Sequence, residues 1–136
     1  MGYLLDTNII ATHLKNDEKI RTKIEEANFQ EENLYISIIS YYETKRGLLY
    51  ANATRKLSKF NIFCEAVTVA FVDEIEIVER AAEIHADLRG KGTLLEDTDI
   101  LIAATAIARD LTLVSHDSDM LRVPGLKLED WLSTDG

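Results

Sequence analysis

A chain of 136 residues with 46% hydrophobic side chains can bury a substantial core and leaves little room for a second domain. Its 24 acidic and 15 basic residues give a net charge of −9, which argues against broad electrostatic binding to DNA, RNA or an anionic membrane. Cys64 is the single cysteine, so an intrachain disulfide and a thiolate metal cluster are both excluded.

No apolar run approaches the ~18 residues of a membrane span. Met1-Gly2-Tyr3-Leu4-Leu5 lacks the basic, long-apolar pattern of a leader. A cytoplasmic protein with no membrane partner is the expectation.

Gly2-Tyr3-Leu4-Leu5 reads as a buried strand that delivers Asp6 at its C-terminal end, ahead of Thr7-Asn8. Ile9, Ile10, His13 and Leu14 then recur at helical spacing, and a more polar helix follows over about Asp17 to Ala27. Leu34–Ile38 is β-rich and forms the second strand. From Ser40 the period becomes helical, with Tyr42, Leu49 and Ala53 on one stripe and Glu43 and Gly47 beside it.

A helix over about Arg55 to Glu65 leads into a third apolar run, Ala66–Ala70. Ile75, Val78, Ala82 and His85 mark a long amphipathic helix ending near Arg89-Gly90, with Gly90 as its C-cap. Glu96-Asp97-Thr98-Asp99 then opens an apolar, Ala-rich helix. Leu111–Val114 is the fourth strand, ending at Ser115-His116-Asp117-Ser118-Asp119, and Leu126–Leu128 is a last short strand.

This alternation predicts an α/β fold: one domain over residues 1–136, with four to five short strands in a mostly parallel sheet and helices on both faces. In such sheets ligands bind outside the C-terminal strand ends, at a topological switch point. Asp6, Glu43, Asp99 and Asp117 come from four separate segments and are all predicted on that rim.

Each acid also has a plain structural explanation. Asp6 and Asp117 suit helix N-caps, Ser40-x-x-Glu43 suits a capping box, and Asp99 suits the positive end of a helix dipole. Capping gives no reason for all four to share one side of the sheet. Gathering them costs mutual repulsion, which a hard divalent cation offsets. Oxygen-only ligands favour Mg²⁺, with Mn²⁺ as the other fitting ion. Such a site suits phosphodiester hydrolysis, because the cation can activate a water and stabilise the leaving oxyanion.

Asp6-Thr7-Asn8 after a hydrophobic strand, Glu43-x-x-x-Gly47, and Asp99-Ile100-Leu101-Ile102-Ala103-Ala104-Thr105-Ala106 carry a family likeness. Leu111-Thr112-Leu113-Val114-Ser115-x-Asp117 and Pro124-Gly125-Leu126 continue it. From Leu4 to Trp131 the chain resembles the PIN-domain ribonucleases and is most similar among them to the VapC toxins.

The resemblance implies an Mg²⁺-dependent endoribonuclease acting on RNA, a homodimer, and silencing by a cognate VapB-like antitoxin. It also implies that Asp6 and Asp99 are the principal metal ligands, Glu43 the second acid and Asp117 the fourth. Asp119 is an alternative to Asp117, and Asp97 is a supporting residue outside the ligand set. Thr7 and Ser115 adjoin the acids and are candidates to orient water, with ordinary turn hydroxyls as the competing reading. Arg46 is a candidate for an RNA phosphate, and Lys45, Arg55, Lys56 and Lys59 extend the same edge. The alternative function is a catalytically inactive PIN-like module that binds RNA or protein.

Overall fold

The computed structural model describes residues 2–133. Five strands, β1 (Gly2–Leu5), β2 (Asn33–Ser37), β3 (Thr68–Ala70), β4 (Thr112–Val114) and β5 (Leu128–Glu129), form one sheet. All pairings are parallel and the spatial order is β3-β2-β1-β4-β5. Six helices flank it: α1 (Thr7–Leu14), α2 (Glu18–Phe29), α3 (Ile38–Tyr50), α4 (Thr54–Ala66), α5 (Ile75–Gly90) and α6 (Asp97–Ala108). The expected α/β class holds. Met1 and residues 134–136 of the expected domain lie outside the described residues.

The strand order decides where a site can form. From β1 the chain steps to β2 and β3 on one side, then returns to place β4 and β5 on the other. The winding direction therefore reverses between β1 and β4, and their C-terminal ends open a crevice. Asp6 and Ser115 are the first residues beyond those two ends.

Strand side chains alternate between two cores. Leu4, registered with Tyr35 and Leu113, packs on the face covered by Ile77 and Leu88 of α5 and Ile102, Ala103 and Ala106 of α6. Leu5, registered with Ile36 and Val114, packs on the opposite face against Ile9 and Ile10 of α1, Ile20 of α2 and Phe60 of α4. Ala103, Ala104 and Ala106 are fully buried, and their small size lets α6 approach the sheet closely. Trp131 closes the second core, with its ring edge-on to Tyr3 at a centroid distance of 5.2 Å.

The helix ends follow one rule. Asn16, Glu31, Asn52, Gly92 and Asp110 all lie just past a helix, at φ between 51° and 70°. After α2, α3, α5 and α6 the next N–H bonds back to the last turn, as in Thr93 N to Leu88 O at 2.9 Å, which satisfies carbonyls left open by the helix end. The glycine that terminates α5 is thus Gly92, with φ 70°, and not Gly90, which is still helical.

Several boundaries and faces differ from expectation. β2 ends at Ser37, whose side chain accepts from Ile39 N at 3.0 Å and starts α3 two residues before Ser40. Ala66 ends α4, and β3 begins only at Thr68. The last strand is Leu128–Glu129, shifted from Leu126–Leu128. The segment 118–122 forms a 3-10 helix.

Two helices expose the stripe expected to be buried. α5 buries Ile77, Ala81, Ile84 and Leu88, while Ile75 and Val78 face outward. In α3, Tyr42 and Leu49 are 59% and 55% exposed, and Ser40 and Thr44 are the buried residues. The inner side of α3 is polar because it faces the strand ends.

Candidate active site at the strand-end crevice

Asp6 has extended backbone and ends β1 as α1 begins. Its Oδ1 accepts from Thr7 N at 2.8 Å, and its Oδ2 accepts from Ser115 Oγ at 2.8 Å. The cap reading is therefore correct, and it does not compete with the site reading. One carboxylate oxygen starts the helix while the other reaches across the crevice. Asp6 is only 4% exposed. Burial raises its pKa most, the Ser115 and Thr7 hydrogen bonds oppose that, and the charges of Glu43 and Asp117 raise it further.

Ser115 organises the β4 side. Its hydroxyl donates to Asp6 and accepts from Asp117 N at 3.1 Å and from Asn8 Nδ2 at 3.2 Å, which uses one proton and two lone pairs. Asn8 Oδ1 in turn accepts from His116 N at 3.1 Å. Asn8 thus ties α1 to the loop after β4. The sequence shows it only as the third member of Asp-Thr-Asn, and nothing local announces a partner more than 100 positions away.

Glu43 reaches the crevice from α3. Thr7 Oγ1 stands 2.9 Å from Glu43 Oε1 and 2.9 Å from Ser40 Oγ. A threonine hydroxyl has one proton and an ionised carboxylate only accepts, so Thr7 donates to Glu43 and Ser40 donates to Thr7. The capping-box reading of Ser40-x-x-Glu43 is overturned, because Ser37 is the cap and Ser40 is buried within the helix. Ser40 is a positioning residue that sequence reasoning missed.

Asp99 lies in the first turn of α6 and is half-buried. Its pKa is raised from 3.8 to about 6, first by burial and then by the charges of Asp6, Asp117, Glu43 and Glu96. The same four acids singled out in the sequence therefore act on one another across the crevice. Glu96 is exposed but adds to the field at Asp99.

The neighbouring acids separate by geometry. Asp117 caps the 3-10 helix by accepting from Asp119 N at 2.9 Å, and its charge is felt by both Asp6 and Asp99. Asp119 is exposed and pairs with Arg122 at 3.1 Å. Asp97 sits about 200° around the helix from Asp99. It is exposed and lines a groove with Val78, His85 and Leu101. His85 is half-buried at that groove, not packed within the core. Arg46 is exposed, with its guanidinium 5.1 Å from the Tyr42 ring centroid.

The donors offered to a ligand are oxygens throughout, which fits a hard cation. Among the described residues no three His, Cys, Asp or Glu side chains close around one point.

Residues 3–126 match the PIN domain family. The tRNA(fMet)-specific endonuclease VapC of Salmonella typhimurium is 30% identical over 140 residues, covering 96% of this chain and 98% of that protein. Ribonuclease VapC1 of Haemophilus influenzae is 27% identical over 133 residues, covering 96% and 98%. VapBC2 from Rickettsia felis, crystallised on a DNA fragment from its promoter, superimposes with a TM-score of 0.89 at 28% identity, covering 96% of this chain and 99% of that one. DNA-bound VapBC from Salmonella typhimurium gives 0.87 at 29% identity, covering 96% and 98%. The chain belongs to the PIN-domain family, and within that family it is VapC-like.

Proposed function

We propose that the protein is an Mg²⁺-dependent endoribonuclease, the toxin of a VapB–VapC type pair acting in the cytoplasm. The observation that carries this reading is the gathering of Asp6, Glu43, Asp99 and Asp117 at the β1–β4 crevice, where burial first and then the charges of the other acids raise Asp99 to about 6. The names of the VapC relatives support RNA cleavage, and the VapBC complexes support an antitoxin partner.

Asp6, Asp99, Asp117 and Glu43 would hold the cation, at most two of them directly and the others through its waters. Bound there, Mg²⁺ (or Mn²⁺) supplies charge neutralisation at the scissile phosphate and lowers the pKa of a water nucleophile. Asp6 is held in one rotamer by Thr7 N and Ser115 Oγ. Glu43 is oriented by the Thr7 hydroxyl, itself fixed by Ser40. Asp99 is largely ionised at neutral pH and completes the negative field.

An antitoxin that places a basic side chain among these acids would remove the negative field and block the phosphate together. No helix among the described residues is long and apolar enough to cross a membrane. Exposed Phe71, Ile75 and Val78 on and before α5 support self-association, and we assign a homodimer.

The test is cleavage of a broad RNA pool by the purified chain with Mg²⁺, with EDTA, and as Asp99→Asn. Cleavage is expected only in the first case. Equal cleavage in all three would sink the mechanism, and none in any would move weight to an RNA- or protein-binding module.

A further inference from the structure

The loop after β4 carries a pair of side chains that the acid site does not use. Val114 of β4 is registered with Glu129 of β5, so His116 and Asp130 leave the same rim of the sheet as Asp6 and Asp117. His116 Nδ1 lies 2.9 Å from Asp130 Oδ2 and 3.2 Å from Oδ1. An ionised carboxylate only accepts, so Nδ1 carries the proton of that bond. Asp130 is itself fixed, because its Oδ1 also accepts from Leu132 N at 2.9 Å. The His116 N donates to Asn8 Oδ1 at 3.1 Å. The imidazole is thus held through its backbone and through one ring nitrogen, while Nε2 has no partner among the described residues.

This ring lines a pocket of about 200 Å³. Ser115 and Asp117 form the side it shares with the acid site, and Leu121 and Leu128 supply an apolar surface. Asp117 and Asp130 border it, so a second phosphate would be repelled there. An uncharged group with an apolar body and a hydroxyl suits it better.

A metal-activated water attacks phosphorus without using the ribose 2′-hydroxyl, so carboxylates and cation alone treat RNA and DNA phosphodiesters alike. Selectivity for RNA requires a separate contact to the sugar. The hydroxyls bonded to the acids do not supply it, because Thr7 and Ser115 give their single protons to Glu43 and Asp6. His116 Nε2 is uncommitted and adjoins Asp117 in the chain.

Resting on the nuclease reading above, we propose that the pocket after β4 seats a ribose bonded to the scissile phosphate, and that His116 reads its 2′-hydroxyl. That hydroxyl both donates and accepts, so it pairs with Nε2 whether the nitrogen offers a proton or a lone pair. Asp130 is the positioning residue that keeps Nε2 turned to the ligand side, and the sugar lies on Leu121 and Leu128. His116 is therefore a specificity-determining residue, outside the set that holds the cation.

The test uses the full chain with Mg²⁺ and a single-stranded RNA whose cut has been mapped. Two further strands carry one 2′-deoxynucleotide, on the 5′ or the 3′ side of that cut. The wild type is expected to cut one of the two about tenfold more slowly than the RNA, the loss of about one hydrogen bond. In His116→Phe that ratio should fall to near 1, because RNA cleavage drops to the level of the substituted strand. Asp130→Ala, which frees the ring to turn, should lose part of the ratio. The Mg²⁺-induced rise in melting temperature should persist in His116→Phe.

A His116→Phe chain that slows equally on every strand and keeps the wild-type ratio makes His116 a structural support and refutes the proposal. Loss of the Mg²⁺-induced rise would route the effect through the acids and refutes it too. A wild type that cuts both substituted strands as fast as the RNA overturns the sugar contact and leaves the nuclease reading standing. A wild type that cuts no RNA overturns both.

Discussion

Ser115 Oγ donates to Asp6 Oδ2 at 2.8 Å across the boundary where the winding of the sheet reverses. It joins the ends of β1 and β4 directly, and it is fully buried. Removing it by Ser115→Ala leaves the buried Asp6 Oδ2 without its donor, with Thr7 N still serving Oδ1, at a cost of about 1.5–3 kcal/mol. A lower melting temperature and about tenfold slower RNA cleavage are expected. That bond favours the ionised form of Asp6, so its loss raises the Asp6 pKa further. The acid limb of the pH–rate profile should therefore move to higher pH. An unmoved acid limb would separate Ser115 from Asp6.

Thr7 sends its one proton to Glu43 while accepting from Ser40. Thr7→Val keeps the shape and removes that proton, whereas Thr7→Ser keeps it. We expect kcat to fall about 10–100-fold in the valine variant, the equivalent of one hydrogen bond to a charged group. The serine variant should retain most activity. Equal loss in both would indicate packing by the threonine methyl group as the cause.

Asp99 makes the stability of the metal-free chain depend on pH. Its folded pKa of about 6 lies above the ordinary 3.8, so the folded state holds the proton more tightly than the unfolded state. The associated stability is fully present below about pH 4 and is lost as pH rises through about 6. Isolated from solvent, that displacement would correspond to about 3 kcal/mol; Asp99 is only half-buried, and screening reduces the expectation to about 1 kcal/mol. Thermal melts in EDTA should therefore show Asp99→Asn equal to the wild type near pH 4 and more stable above pH 6. Added Mg²⁺ should reverse the order at neutral pH, because it stabilises only a chain that binds it. Parallel curves at every pH would refute the account.

Asp117 and Asp119 are separated by what they face. Asp117 acts on Asp6 and Asp99, and Asp119 is engaged by Arg122. Asp117→Asn should abolish Mg²⁺-induced stabilisation and cleavage. Asp119→Asn should change stability by less than about 1 kcal/mol, as befits an exposed pair, and leave cleavage near the wild-type rate. The opposite pattern would exchange their roles.

Much of this molecule is written locally. Leu4 and Leu5 before Asp6, and Leu113 and Val114 before Ser115, identify strands that end at polar residues, because a buried parallel strand needs a continuous apolar run. The Ala-rich stretch after Asp99 identifies a helix buried on nearly all sides. Four acids at segment ends could be selected for the same reason, and the structure brings those four into mutual electrostatic contact.

Other features depend on partners that local pattern does not contain. α5 carries two apolar stripes about 100° apart, and only its packing on α6 selects Ile77, Ala81, Ile84 and Leu88 over Ile75, Val78, Ala82 and His85. α3 turns a polar side inward because it borders the crevice, which hides Ser40 and exposes Tyr42. Asn8 and Ser115 meet across 107 positions. Hydrophobic periodicity acts over a few residues and so fixes the elements and their ends. The order of strands in the sheet acts over the whole chain, and it alone decided which acids and hydroxyls share the crevice.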